Sequence, residues 1–248
     1  MKQNYGVVIA GSNLKLETGF LGISTVVLLE AGGRKILYDT GGYTSRQGLR
    51  DALSARGLGP KDIDVVFLSH MHFDHTHNVN LFEHAKILVS KTEWEYARNP
   101  HENDDFMPFG IHHYLETLDL EFYDGEGELE PGLTFFPAPG HTPGLYSMVF
   151  ESDDRGTIVI AGDAMKYPKE ALLKQCDMSF DTLESGTATI NRILDMGDVF
   201  VPGHYIEFRR EGDSITWDGE NELKLIVRWS AFGKVRPGCP IKSATKSH

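Results

Sequence analysis

Runs of apolar residues in this chain are short, end on glycine, proline or charged residues, and switch between a two-residue and a helical period. The two-residue period, rich in β-branched and aromatic side chains, predicts strands over 5–10, 24–30 and 35–39, the last two joined as a hairpin through Ala31-Gly32-Gly33-Arg34. A helical period places Leu49, Ala52 and Leu53 on one face of a helix over 46–56 that stops at Gly57. Strands follow over 64–69 and 86–90, and then a helix over 92–98. The second half repeats the alternation, with strands over 133–137, 146–151, 157–161 and 199–201 and a helix running from an N-cap at Asp181 to about Met196. Strands gathered in each half with helices between them predict an α+β fold of two sheets packed face to face and covered outside by helices. Residues 101–120 are acidic and aromatic and read as a partly helical excursion, so the segment 91–125 is expected to roof the site. The end of the chain, 235–248, reads as an irregular tail.

The run Val65-Val66-Phe67-Leu68 leads into His70-Met71-His72-Phe73-Asp74-His75, an H-x-H-x-D-H pattern. If extended backbone persists past Ser69, His70 and His72 point to one side and can share a metal. Asp74 and His75 would diverge in a strand, but a turn begun after His72 aims both at a second position. Imidazole with carboxylate suits zinc, iron and other first-row ions rather than a thiolate site. Three further strand ends carry similar groups. His141 lies in Ala138-Pro139-Gly140-His141-Thr142-Pro143-Gly144, where glycines and prolines set the backbone path; Asp163 follows Ile160-Ala161-Gly162; His204 follows Val201-Pro202-Gly203. Donors that all sit where strands stop point to one metal-dependent site.

Composition narrows the classes. With 248 residues, 40% of them hydrophobic, the chain can bury a large core and is expected to form one domain over 1–248. No apolar run is long enough for a membrane span and the amino terminus lacks a signal-peptide pattern, so the cytoplasm is the default expectation. Cys176 and Cys239 are far apart and read as reduced thiols. The net charge of −12 disfavours nucleic acid and anionic membrane as partners without excluding a nucleic-acid substrate, and a small-molecule substrate is expected. The oligomeric state stays open, with a homodimer among the expectations.

Together with Asp39-Thr40-Gly41, these motifs occur in the order found in the metallo-β-lactamase superfamily, which the chain resembles over 39–204. The resemblance implies an αββα sandwich, two mixed sheets flanked by helices, with a dinuclear site at one edge. It implies that His70, His72 and His141 hold one metal, that Asp74, His75 and His204 hold the other, that Asp163 bridges both, and that Asp39 orients a ligand from behind. Two divalent ions are implied, zinc first, with iron, manganese or cobalt as alternatives. Two such ions about 3.5 to 4 Å apart share a water and present it as a bridging hydroxide to a carbonyl, so no serine or cysteine nucleophile is needed. Asp74 would act mainly as a ligand and could also relay a proton.

Aspartate at 163, with Asp74-His75, is unlike the metal-binding pattern of true β-lactamases, and His72 stands where the oxygen-reducing flavodiiron relatives carry glutamate. The compact length and Lys91-Thr92-Glu93-Trp94-Glu95-Tyr96 most resemble the quorum-quenching lactonases that open acyl-homoserine lactones. Those enzymes usually place a tyrosine three residues after the bridging aspartate. Here that position is Lys166, with Tyr167 next, and either is a candidate to contact the substrate carbonyl. Thioester hydrolysis of the glyoxalase II type and phosphodiester cleavage are the alternatives, although the chain shows no basic clamp for glutathione or coenzyme A and no basic face for RNA. A metal-dependent binder without turnover is the last reading, and it leaves seven ligands without a purpose. Phe106, Met107, Phe109, Tyr114 and Tyr205 are expected as walls of an apolar pocket, and His77, His84, His101, His112 and His113 as turn or surface residues. One of Trp217 and Trp229 is expected to pack on the sandwich.

Overall fold

The computed structural model describes residues 4–218; Cys239, Trp229 and the tail expected over 235–248 lie outside the described residues. The first half supplies β1 (Asn4–Ile9), a small ribbon of β2 (Lys15–Leu16) and β3 (Gly19–Phe20), β4 (Val26–Ala31), β5 (Arg34–Tyr38), α1 (Arg46–Ser54), β6 (Val65–Phe67), α2 (Phe73–Thr76), β7 (Lys86–Ser90), α3 (Lys91–Arg98), α4 (Ile111–Leu115) and β8 (Leu120–Tyr123). The second half supplies β9 (Gly127–Glu130), β10 (Leu133–Pro137), β11 (Tyr146–Ser152), β12 (Gly156–Gly162), α5 (Pro168–Leu173), α6 (Leu183–Met196), β13 (Val199–Pro202), β14 (Phe208–Glu211) and β15 (Ser214–Thr216). One sheet runs β1-β4-β5-β6-β7-β8 and the other β15-β14-β13-β12-β11-β10-β9. Strands β5 to β8 are parallel, as are β12 and β13.

Alternation along single strands decides the layering, because successive side chains leave a strand on opposite faces. On β4, Val27 and Leu29 enter the apolar layer between the sheets, while Val26 and Leu28 join Leu49 and Leu53 of α1 and Trp94 of α3. On β12, Ile158 and Ile160 face the other sheet, while Val159 and Ala161 pack on Ile190 and Ile193 of α6. Three apolar layers therefore separate helices, sheet, sheet and helices, the αββα order expected. Each fully buried aliphatic side chain contributes about 1.5–3 kcal/mol. A strand covered on both faces carries an unbroken apolar run, which explains Val65-Val66-Phe67-Leu68.

The structure departs from expectation in two places. The N-cap of α6 is Thr182, whose Oγ1 accepts the Ser185 N–H at 3.0 Å; Asp181 instead accepts the Ser185 hydroxyl. The segment 91–125 is not a single roof: α3 buries Trp94 and Ala97 and β8 is a sheet edge, so 99–110 is the part that reaches the loops of interest. Trp217 is exposed. Among the described residues no helix is long and apolar enough to cross a membrane.

Candidate metal centre

Strand β6 stops at Phe67, and the turn expected after His72 is a short helix. His72 sits at its N-cap with extended backbone (φ −62°, ψ 152°), and the helix brings His75 back beside His70, ring centroids 4.1 Å apart, and Asp74 beside His204. The loops after β10, β12 and β13 deliver His141, Asp163 and His204. All seven side chains are buried, none more than 5% exposed. Three groups place one donor atom per residue within 4.8 Å of the others: His70, His72 and His141; His70, His75 and Asp163; Asp74, His75 and His204. Asp163 lies at the middle. Its Oδ2 is 3.2 Å from His141 Nε2 and 3.3 Å from His204 Nε2, and its Oδ1 is 3.3 Å from His75 Nε2. Asp74 Oδ2 is 3.3 Å from His204 Nε2.

Buried polar atoms without partners are costly, and this cluster holds several: His70 Nε2, His75 Nε2, His141 Nδ1 and Asp163 Oδ1 have no hydrogen bond. Imidazole nitrogens and carboxylate oxygens converging in this way fit divalent ions of the zinc or iron type.

A second set of groups holds the imidazoles from behind. Asp39 faces His75 Nδ1 at 2.7 Å and accepts the Ser69 N–H at 2.7 Å and the Ser69 hydroxyl at 2.8 Å. It does so from a left-handed backbone (φ 62°), a conformation that aspartate tolerates and that the three contacts hold in place. Ser69 Oγ reaches His70 Nδ1 at 2.9 Å, and the Ile23 carbonyl reaches His204 Nδ1 at 3.1 Å.

Two carboxylates escaped the sequence reading. Asp104, in an acidic stretch with no periodicity, lies 3.0 Å from His72 Nε2. Glu93 accepts the Met71 N–H at 2.9 Å and the Thr142 hydroxyl at 2.7 Å, joining the loops of His70 and His141. A signal for it exists, since Ser90-Lys91-Thr92-Glu93 is a helix-start pattern and Ser90 Oγ does accept the Glu93 N–H. Gly144 is glycine because a Cβ there would come within 2.0 Å of the Glu93 nitrogen, and Gly203 because a Cβ would come within 1.8 Å of Asp163 Oδ1.

Burial drives His70 and His141 well below the ordinary imidazole range. Burial would also raise Asp163, but the imidazoles of His204, His75 and His141 hold its carboxyl well below the usual range. The reverse holds for His75 and His204, where burial is outweighed by carboxylates, Asp163 first, and the values rise. The same carboxylates that favour positive charge on these imidazoles would favour a bound cation in their place.

A cavity of about 290 Å³ opens on this cluster. Phe20, Phe106, Lys166, Tyr167 and Asp177 line it beside His72, Asp74, His141, Asp163 and His204. Lys166 Nζ is tied to Glu170 Oε1 at 2.7 Å and Asp177 Oδ1 at 3.3 Å, and the Tyr167 hydroxyl donates to Asp177. Burial pushes Glu170 up to about 7. Of the expected walls, Phe106 lines the cavity, Met107 and Tyr114 pack into the helix-side core, and Phe109 is exposed. Phe20 went unseen because β3 is only two residues long. His77, His84, His101 and His113 are exposed, and His112 is half-buried beside Trp94.

Residues 19–204 match the Metallo-beta-lactamase superfamily. Metallo-beta-lactamase domain-containing protein 1 of Xenopus laevis is 33% identical over 183 residues, 74% of this chain and 71% of that protein. The N-acyl homoserine lactonase of a Bacillus species is 28% identical over 171 residues, 67% of this chain and 66% of that protein. The chain thus spans about two thirds of the length of these relatives. Among solved structures, a dizinc quorum-quenching lactonase in complex with a product superposes with a TM-score of 0.62 at 22% identity, covering 83% of this chain and 82% of that one, a likeness of fold. The donor cluster, the four layers and the matched span agree: the chain belongs to the metallo-beta-lactamase superfamily and is a metal-dependent hydrolase.

Proposed function

We propose that the protein is a dinuclear hydrolase that opens a lactone ester, with acyl-homoserine lactones as the first class to test. The observation that carries this reading is Asp163, a buried carboxylate whose two oxygens face imidazoles from three other loops. His70, His72 and His141 would hold one ion, Asp74, His75 and His204 the other, and Asp163 both. Zinc suits the donor set, and iron, manganese or cobalt would also fit it. When bound, divalent ions supply Lewis acidity and ionise water near neutral pH.

The chain's own residues prepare the site. Asp39 and Ser69 hold His75 and His70 so that each turns Nε2 inward. Asp74 keeps a carboxylate oxygen beside His204 and can hold a proton released there. Lys166 and Tyr167 stand in the cavity wall, fixed by Asp177, and are the candidates to orient a substrate oxygen. At about 290 Å³ the cavity suits a small molecule. The likeness to the Bacillus lactonase supports a lactone over a thioester or phosphodiester.

The test is a hydrolysis panel of lactones, acyl thioesters and phosphodiesters on metal-replete protein, each against a chelated control. Chelator-sensitive lactone opening is expected. Absence of hydrolysis on every lactone overturns the substrate reading, and hydrolysis that survives chelation overturns the metal reading. Asp163→Ala is expected to lose more than the about 10- to 100-fold that removal of an outer support costs. It should also bind fewer than two ions per chain.

A further inference from the structure

His72 differs from its neighbours in the nitrogen it turns inward. His70, His75 and His204 meet Ser69, Asp39 and Ile23 through Nδ1. In His72 the order is reversed: Nδ1 lies 3.0 Å from His141 Nε2, at the heart of the cluster, and Nε2 lies 3.0 Å from Asp104 Oδ2. The Asp104 carboxylate is wholly buried and sits in the segment between α3 and α4, outside every ligand motif. It takes two more hydrogen bonds, from the Tyr96 hydroxyl to Oδ2 at 2.6 Å and from the Phe106 N–H to Oδ1 at 3.0 Å.

Phe106 connects the segment to both the motif and the cavity. Its carbonyl accepts the N–H of Phe73, the first residue of α2, at 2.9 Å. Its ring lies 5.6 Å from the His72 ring and 6.2 Å from Phe20. One carboxylate therefore joins an imidazole of the centre, the backbone of a cavity wall and a hydroxyl on α3.

We propose that Asp104 is the positioning residue of His72 and that it couples metal loading to the ordering of segment 99–110, so that the Phe106 wall is held more firmly once the centre is filled. The inference rests on the dinuclear reading above. The physical steps are few. A carboxylate accepting the Nε2–H fixes the tautomer and leaves the Nδ1 lone pair inward. Loading makes that N–H a stronger donor, which fixes the Asp104 carboxylate in one position and with it the Oδ1 acceptor that holds the Phe106 N–H. Coupling is reciprocal: whatever metal does to the segment, the segment does to metal affinity by the same factor.

The experiment combines zinc affinity, by competition with a chelator, with hydrogen exchange of 99–110 in loaded and chelated protein. In the wild type, loading is expected to slow exchange of the Phe106 amide by about fivefold or more. Asp104→Ala is expected to lower zinc affinity by about 10- to 100-fold and to abolish the exchange response. Asp104→Asn, which can still accept the Nε2–H, should recover part of both. This variant keeps the size of the side chain and decides the matter if Asp104→Ala fails to fold: wild-type zinc affinity with an undiminished exchange response in Asp104→Asn would overturn the inference. Wild-type protein that takes up two ions with no change in 99–110 overturns this inference alone, as does Asp104→Ala with unchanged affinity. Wild-type protein that takes up no divalent ion overturns the metal reading on which it rests.

Discussion

Glu93 is 0% exposed, lies outside the donor cluster, and still accepts hydrogen bonds from two loops that carry donors. Burial pushes its carboxyl up, while Thr142 and Met71 pull it back. Glu93→Ala leaves two buried donors unsatisfied and is expected to cost about 2 to 4 kcal/mol in urea unfolding. Glu93→Gln, which retains an acceptor, should cost less, and a change within about 0.5 kcal/mol for the alanine variant would refute the role. Gly203 sets a different limit. An added Cβ would collide with Asp163 Oδ1, so Gly203→Ala is expected to reduce metal content and lower turnover by about 10- to 100-fold. Wild-type metal content in that variant would show that Asp163 has room to move.

Helix α6 anchors the loop of His141. Gly140 (φ 142°) approaches Gly186 so closely that a Cβ on it would lie 2.2 Å from the Gly186 Cα. Thr182→Ala removes the cap of this helix and is expected to cost about 1 kcal/mol, read as a shift in denaturant midpoint. On α5, Glu170 supplies a pH dependence. Its carboxyl ionises at 4.5 in an unfolded chain and only at about 7 in the fold, because burial opposes its charge. The stability associated with that retained proton is complete below pH 4.5 and is lost as pH rises to about 7. Wild type should therefore lose stability relative to Glu170→Gln across that window, and parallel curves would contradict it. Elements with two buried faces or a long period, such as β4, β12 and α6, were legible in the sequence. The edge strand β1 was legible too, but β8 and β15 were not, because they are only four and three residues long and bury little. The four residues of α2 carry no period either; tertiary contacts make it, including the Phe73 N–H on the Phe106 carbonyl and the Thr40 hydroxyl on the His75 carbonyl.

Across the whole molecule, donors hang from both sheets. His70 to His75 follow β6 of one, and His141, Asp163 and His204 follow strands of the other. Their types and strand-end positions allowed these seven side chains, which the fold brings together, to be named without coordinates, whereas Asp104 owes its place to the path of a loop that no local pattern encodes. An acidic chain with a net charge of −12 adds long-range attraction for cations. Any ion bound by the folded form alone raises its stability, so chelation is expected to lower the melting temperature and added zinc to restore it. An unchanged melting curve would argue against tight binding. The placement across two sheets also has a kinetic consequence. Donors from opposite sheets converge only after the sheets have docked, so the ions find their seat after the slow step of folding. Zinc in the refolding buffer should leave the folding rate unchanged and slow unfolding, which makes the ions keepers of the native state's lifetime rather than guides to reaching it.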